Sequence, residues 1–150
     1  MGQEKISKFT KILLDVMLFC GIFVCVTLPF SIRLAGRIYS REFADHYAAM
    51  LILFAIAGFS GLLIVWELRG MMSTVLADDC FVVANVTSLK RMSIYSTVIA
   101  LDFAVKMLVF PTPATAVIVL TFFIAALFSR VLAHVFAKAI AYKEENDLTI

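Results

Sequence analysis

Four apolar runs, each about as long as a helix needs to cross a bilayer core roughly 30 Å thick, occupy most of this 150-residue chain. They cover residues 12–32, 47–66, 92–110 and 114–132 and carry few charges. A helix satisfies every backbone N–H and C=O within one segment, so runs of this length predict spanning helices. Composition agrees: 63% of the residues are hydrophobic and 16% charged, more apolar surface than the interior of so small a globule can cover. The expected fold class is therefore all-α, an integral membrane four-helix bundle forming one membrane domain over residues 1–150, with residues 133–150 as a cytoplasmic helical extension and tail. The bilayer is its first partner.

Sidedness follows from the basic residues, because Lys and Arg resist translocation. The N-terminal segment (Lys5, Lys8, Lys11), the connection between spans two and three (Arg69, Lys90, Arg91) and the C-terminal end (Arg130, Lys138, Lys143) hold nine of them, against three (Arg33, Arg37, Arg41) on the other side. Both termini are expected in the cytoplasm, with the spans in a plasma membrane. Arg33-Leu34-Ala35 puts Arg where a cleavage site needs a small residue, so the first run reads as an uncleaved span. Ile6 stands where N-myristoylation needs Ser or Thr. Tyr39, Tyr47, Trp66, Tyr95 and Tyr142 fall at or near span ends, where amphipathic rings sit best.

The segment Phe110-Pro111-Thr112-Pro113 predicts a tight hairpin, its prolines stopping the third helix while Thr112 or Pro113 starts the fourth. Residues 67–91 are more than a loop requires. Phe81, Val82, Val83, Val86 and Leu89 recur at mixed helical steps, which predicts a short amphipathic cytoplasmic helix between spans two and three, N-capped by Asp79. Pro29 predicts a kink or an end near the outer limit of the first helix.

Ionisable groups inside spans are costly unless partnered, so Asp102 and Lys106 stand out. Four residues apart, they share a helix face in the favourable acid-before-base order. They read either as a neutralised pair turned into the bundle or as an ion, proton or ligand site. Asp15, one turn into span one and close to Lys8 and Lys11, reads as interfacial. Arg130, His134 and Lys138 step by four along the fourth helix. Such a stripe snorkels to anionic headgroups or, less often, docks a partner or a phosphate ligand. Beside it Ala125, Ser129, Ala133, Ala137 and Ala141 form a ridge of small side chains, and Ala57 with Gly61 gives span two a shorter one. These are expected packing faces, and oligomerisation through them is open.

Catalytic patterns are weak, and no enzyme is expected. Gly58-Phe59-Ser60-Gly61 lacks the final spacing of a nucleophile elbow and follows no strand. His46 and His134 fall on opposite sides of the membrane, so they cannot share a metal. Cys20 and Cys25 lie about 140° apart around a helix, and Cys80 is the thiol expected to meet solvent. No cofactor, no metal and no direct nucleic-acid binding are expected, because the formal net charge is only +2 and no basic face is clustered.

Asp79-Cys80-Phe81, the run Asn85-Val86-Thr87-Ser88-Leu89-Lys90-Arg91 and the closing Lys143-Glu144-Glu145-Asn146-Asp147-Leu148-Thr149-Ile150 together resemble the small four-span bacterial (Firmicute-type) integral membrane protein family filed as domain of unknown function 2975. Where that family often has Pro before Phe, this chain has Cys80. The resemblance implies a regulatory partnership with a small helix-turn-helix regulator of the XRE type and supplies no catalytic residues. On that side of the membrane Asn85, Ser88, Lys90, Arg91, Arg130, His134, Lys138, Lys143, Glu144, Glu145, Asn146 and Asp147 are the docking candidates. Lys90 and Arg91 are expected to clasp the acidic tail through exposed ion pairs worth about 0–1 kcal/mol each. The functional expectation is a membrane sensor or regulatory partner; the rival is a small transporter or ion-conducting oligomer using Asp102 and Lys106.

Overall fold

A computed structural model describes residues 2–38 and 45–149 of the chain. Tyr39, Arg41 and Glu42 lie outside the described residues. Four helices make up nearly all of it: α1 (Gly2–Ile38), α2 (Tyr47–Leu76), α3 (Val83–Val109) and α4 (Pro113–Leu148). All four are long and apolar enough to cross a membrane, and no strand occurs among the described residues.

Burial is arranged for lipid. Leu108 (86% exposed), Val26 (74%) and Phe19 (73%) point outward, while Ser60, Ser93, Ser96, Thr115 and Ser129 are buried between helices. In water such an apolar exterior would drive association. In a bilayer the hydrocarbon covers it, and small or hydroxyl side chains form the helix contacts. Ser93 Oγ, for example, donates to the Ala126 carbonyl across α3 and α4 at 2.9 Å. The chain is a multi-pass membrane protein.

The helices overshoot the apolar runs, chiefly at the end that carries both termini. At 1.5 Å per residue, the 36 residues of α4 reach about 54 Å, well beyond the hydrocarbon. The same overshoot corrects the expected interfacial helix. Residues 67–76 continue α2 and residues 83–91 are the opening turns of α3, so residues 77–82 alone connect them. Neither Pro nor Gly interrupts residues 83–109, and a helix with no breaker runs through the boundary. Asp79 is not its cap; Val82 is, with no side-chain hydrogen bond. Pro29 likewise lies inside a continuous α1.

Caps set the two short connections. After α2 the chain closes a Schellman motif: Asp79 N–H donates to the Thr74 carbonyl at 3.1 Å and Asp78 N–H to that of Val75 at 3.2 Å. This requires a left-handed residue, and Asp78 supplies it at φ 56°, a position where glycine is commonest. At α4 the expected start is found. Thr112 is the N-cap, its Oγ1 accepting from Thr115 N–H at 3.3 Å, and Pro113 is the first helical residue, where its missing N–H costs nothing.

Packing follows chain order. Among the described residues, backbones approach within 8 Å only between α1 and α2, α2 and α3, and α3 and α4. The expected four-helix bundle is thus laid out as a row in chain order, and Phe9, Phe19, Phe23 and Phe30 of α1 stay exposed. The α1–α2 approach is made at Gly21, where a Cβ would sit 2.7 Å from Leu62 Cδ2, and at Gly58, where it would sit 2.8 Å from Cys25 Sγ. A Cβ on Gly61 would meet nothing within 4 Å, and Ala57 is half-buried. On α4, Ser129 and Ala133 are buried with Ala126, while Ala125 is half-buried and Ala137 and Ala141 are exposed.

Candidate functional site

Antiparallel helices place residues of very different sequence position at one depth. At the end carrying the termini, this gives a layer of charged side chains across the row. Asp15 of α1 accepts from Arg69 Nε of α2, and the Arg69 guanidinium also lies 5.8 Å from the Trp66 ring centre. Glu67 of α2 is only 8% exposed. It accepts from Ser88 Oγ of α3 at 2.6 Å and from Arg91 Nη1 at 3.3 Å. Lys90 of α3 faces Arg130 and His134 of α4. One turn further out, Asn85, 2% exposed, donates from Nδ2 to Thr74 Oγ1 and to the Cys80 carbonyl, each at 2.7 Å. A buried amide with both donors engaged fixes the α2–α3 register, since leaving either unmade would cost its desolvation.

The other end of the α2–α3 seam is open. A cavity of about 330 Å³ lies between Ala49, Met50, Ile52 and Leu53 of α2 and Asp102, Val105, Lys106 and Val109 of α3, with His46 and Phe110 at its hairpin end. Its walls are apolar apart from His46 and the two ionisable side chains. Those two are not joined. Asp102 and Lys106 form no salt bridge, and Asp102 Oδ2 is buried without a hydrogen-bond partner. Lys106 Nζ turns instead to Thr115 Oγ1 of α4 at 3.3 Å and lies 5.8 Å and 5.9 Å from the ring centres of Phe54 and Phe103. Ring faces and a hydroxyl stabilise the ammonium, which releases it from its helical neighbour. Thr115 Oγ1 is itself 2.7 Å from Thr112 Oγ1, so the cap of α4 and the intramembrane lysine share one polar knot. A carboxylate oxygen without a donor, on the wall of an apolar cavity, can receive a proton, a cation or an N–H group.

On the terminal side a second hollow, about 260 Å³, opens between α3 and α4 beside Lys90, Arg130, Ala133, His134 and Ala137. Lys138 does not line it.

The docking candidates therefore divide. Asn85 and Ser88 are spent on internal hydrogen bonds, and Arg91 is taken by Glu67. Lys143 pairs with Asp79 at 3.5 Å. The clasp between Lys90, Arg91 and the tail does not form. Helix α4 stays intact to Leu148 and carries Glu144, Glu145, Asn146 and Asp147 about 21–26 Å along the axis past Arg130, all exposed. Lys8 pairs with Glu4 at 2.6 Å rather than with Asp15. Sequence reasoning misses Glu67, because the apolar run of the second span stops at Trp66. Its signal was an isolated acid in Trp66-Glu67-Leu68-Arg69 followed by residues that still favour helix. Cys25 packs at Gly58 while Cys20 is exposed, as their angular separation predicts.

Among the described residues, no group of three or more His, Cys, Asp or Glu side chains could hold a metal. No curated protein and no solved structure matches this chain. Four apolar helices in a chain of this length accord with the family match, which covers residues 12–150 and so nearly all of it: the chain belongs to the family described as Protein of unknown function (DUF2975).

Proposed function

We propose that this chain is a non-enzymatic sensor in the bacterial plasma membrane, with both termini cytoplasmic, that acts on a cytoplasmic partner. The observation that carries the reading is the α2–α3 seam. One end holds the cavity with Asp102 and Lys106 on its wall, and the other holds Glu67, Ser88 and Arg91. Continuous helices join the two ends. A ligand that fits the cavity better in one disposition of α2 against α3 would favour that disposition, and the shift would be felt among the polar contacts at the far end. The basic excess at that end supports its assignment to the cytoplasm.

The partner that the family resemblance implies is a small helix-turn-helix regulator, and the exposed acidic end of α4 is the surface offered to it. Attraction there is electrostatic, so binding should weaken as salt shortens the screening length below about 8 Å. Deleting residues 144–150 should leave membrane insertion intact and abolish a two-hybrid signal with that regulator. A truncated chain that fails to accumulate in the membrane would make the tail structural instead. Reporter fusions after residue 150 test the topology; an extracellular signal would overturn it.

The rival reading, a small transporter or ion-conducting oligomer, draws on the same Asp102 and Lys106, since intramembrane ionisable groups line pathways in such proteins. Liposomes holding the full chain and dyes for protons and potassium separate the two. A sensor should leave leakage at the level of empty vesicles, whereas flux lost on Asp102→Asn would establish the rival.

A further inference from the structure

We propose that Lys90, Arg130 and His134 form a site for a phosphate ester, filled by the phosphate of an anionic phospholipid. Three side chains from two helices surround the hollow between α3 and α4. Lys90 and Arg130 are cations, and His134 adds a ring N–H. Among the described residues none of the three has an acidic partner. Arg91, Arg69 and Lys143 are taken, by Glu67, Asp15 and Asp79; Lys138, one turn along the stripe from His134, has no acidic partner among the described residues but does not line the hollow. No carboxylate lines the hollow. Facing cations repel one another unless an anion lies between them, and a tetrahedral phosphate presents acceptor oxygens to donors arriving from several directions.

Shape and depth select the source. Ala133 and Ala137 keep the α4 wall low and leave about 260 Å³, against about 30 Å³ for one water, so a phosphate and the start of its ester fit. The site lies in the charged layer that bounds the apolar part of the row. On its membrane side Leu127 and Phe128 of α4 are exposed, giving acyl chains a surface to follow. A soluble phosphate ester would gain nothing from those side chains; a lipid gains from both parts.

The full-length protein in mild detergent, titrated with phosphatidylglycerol, phosphatidylcholine or inorganic phosphate and read by native mass spectrometry, tests this. Phosphatidylglycerol should be retained in preference to phosphatidylcholine. A hydrogen bond between a charged side chain and a phosphate oxygen contributes at least about tenfold in affinity, so Lys90→Gln with Arg130→Gln should weaken retention about 100-fold. Lys138→Gln removes the same charge from the same stripe outside the hollow and should change retention less than twofold. Ala137→Leu fills the hollow at an exposed position without altering charge and should weaken retention about as much as the double change. Equal losses on Lys138→Gln and Lys90→Gln would show diffuse surface attraction and overturn the site. So would undiminished retention in Ala137→Leu, and so would binding of inorganic phosphate with indifference to phosphatidylglycerol.

Discussion

Ser88 Oγ donates to Glu67 Oε2 at 2.6 Å, joining α3 to α2 through a carboxylate that is almost wholly buried. Its second partner, Arg91, is 58% exposed, so the hydroxyl contributes more of the hold than the guanidinium, whose attraction is screened by water. Glu67→Ala removes both and is expected to cost about 2–3 kcal/mol, against about 0–1 kcal/mol for Arg91→Ala. Thermal unfolding in detergent measures the order; equal losses would show that the ion pair dominates.

Asp102 gives the opposite sign. Its buried Oδ2 has no donor and Lys106 is engaged elsewhere, so Asp102→Asn should raise stability by about 1–3 kcal/mol by removing an uncompensated charge. A loss of that size would mean that the two residues neutralise each other. If the cavity is the sensing site, the same change should also silence the response, the usual exchange of stability for function at such a position.

The close approach of α1 and α2 makes a steric prediction. Gly58→Ala places a Cβ 2.8 Å from Cys25 Sγ and should cost about 1–3 kcal/mol. Cys25→Ala should restore most of it, because the obstructing atom is then gone. Gly61→Ala, with open space around it, should be neutral or slightly stabilising, since alanine favours helix. Melting of the four proteins, the double variant included, decides this; Gly61→Ala as damaging as Gly58→Ala would show that a neighbouring helix also packs tightly at Gly61, about 60° around α2 from Gly58.

Asp78 holds a left-handed backbone at the end of α2. Asp78→Gly should stabilise the protein by about 0.5–1 kcal/mol, the relief of strain being partly offset by a more flexible unfolded chain. Asp78→Ala should not, because its Cβ keeps the strain without the aspartate's local hydrogen bonding. A stabilisation equal to glycine's would point to removal of charge as the cause.

Crossing a bilayer is a property of one segment at a time: about 20 apolar residues are enough whatever lies beside them. That is why the four spans, the Thr112–Pro113 start of α4 and the lopsided charge could be read along the chain. Helix ends were legible only where a breaker marked them. Between residues 66 and 92 apolarity fades without Pro, and the helices continue as far as backbone hydrogen bonding carries them, hiding Glu67 inside α2 and absorbing the expected interfacial helix into α3. Partnership was not legible at all. Spacing put Asp102 and Lys106 on one face, yet the pairing of Lys106 with Thr115 and the rings of Phe54 and Phe103, and of Glu67 with Ser88, depends on how far one helix slides and rotates against the next. That register is set by contacts such as Gly58 on Cys25 and Asn85 on Thr74, which join residues 11 to 33 positions apart, and only the tertiary structure brings them together.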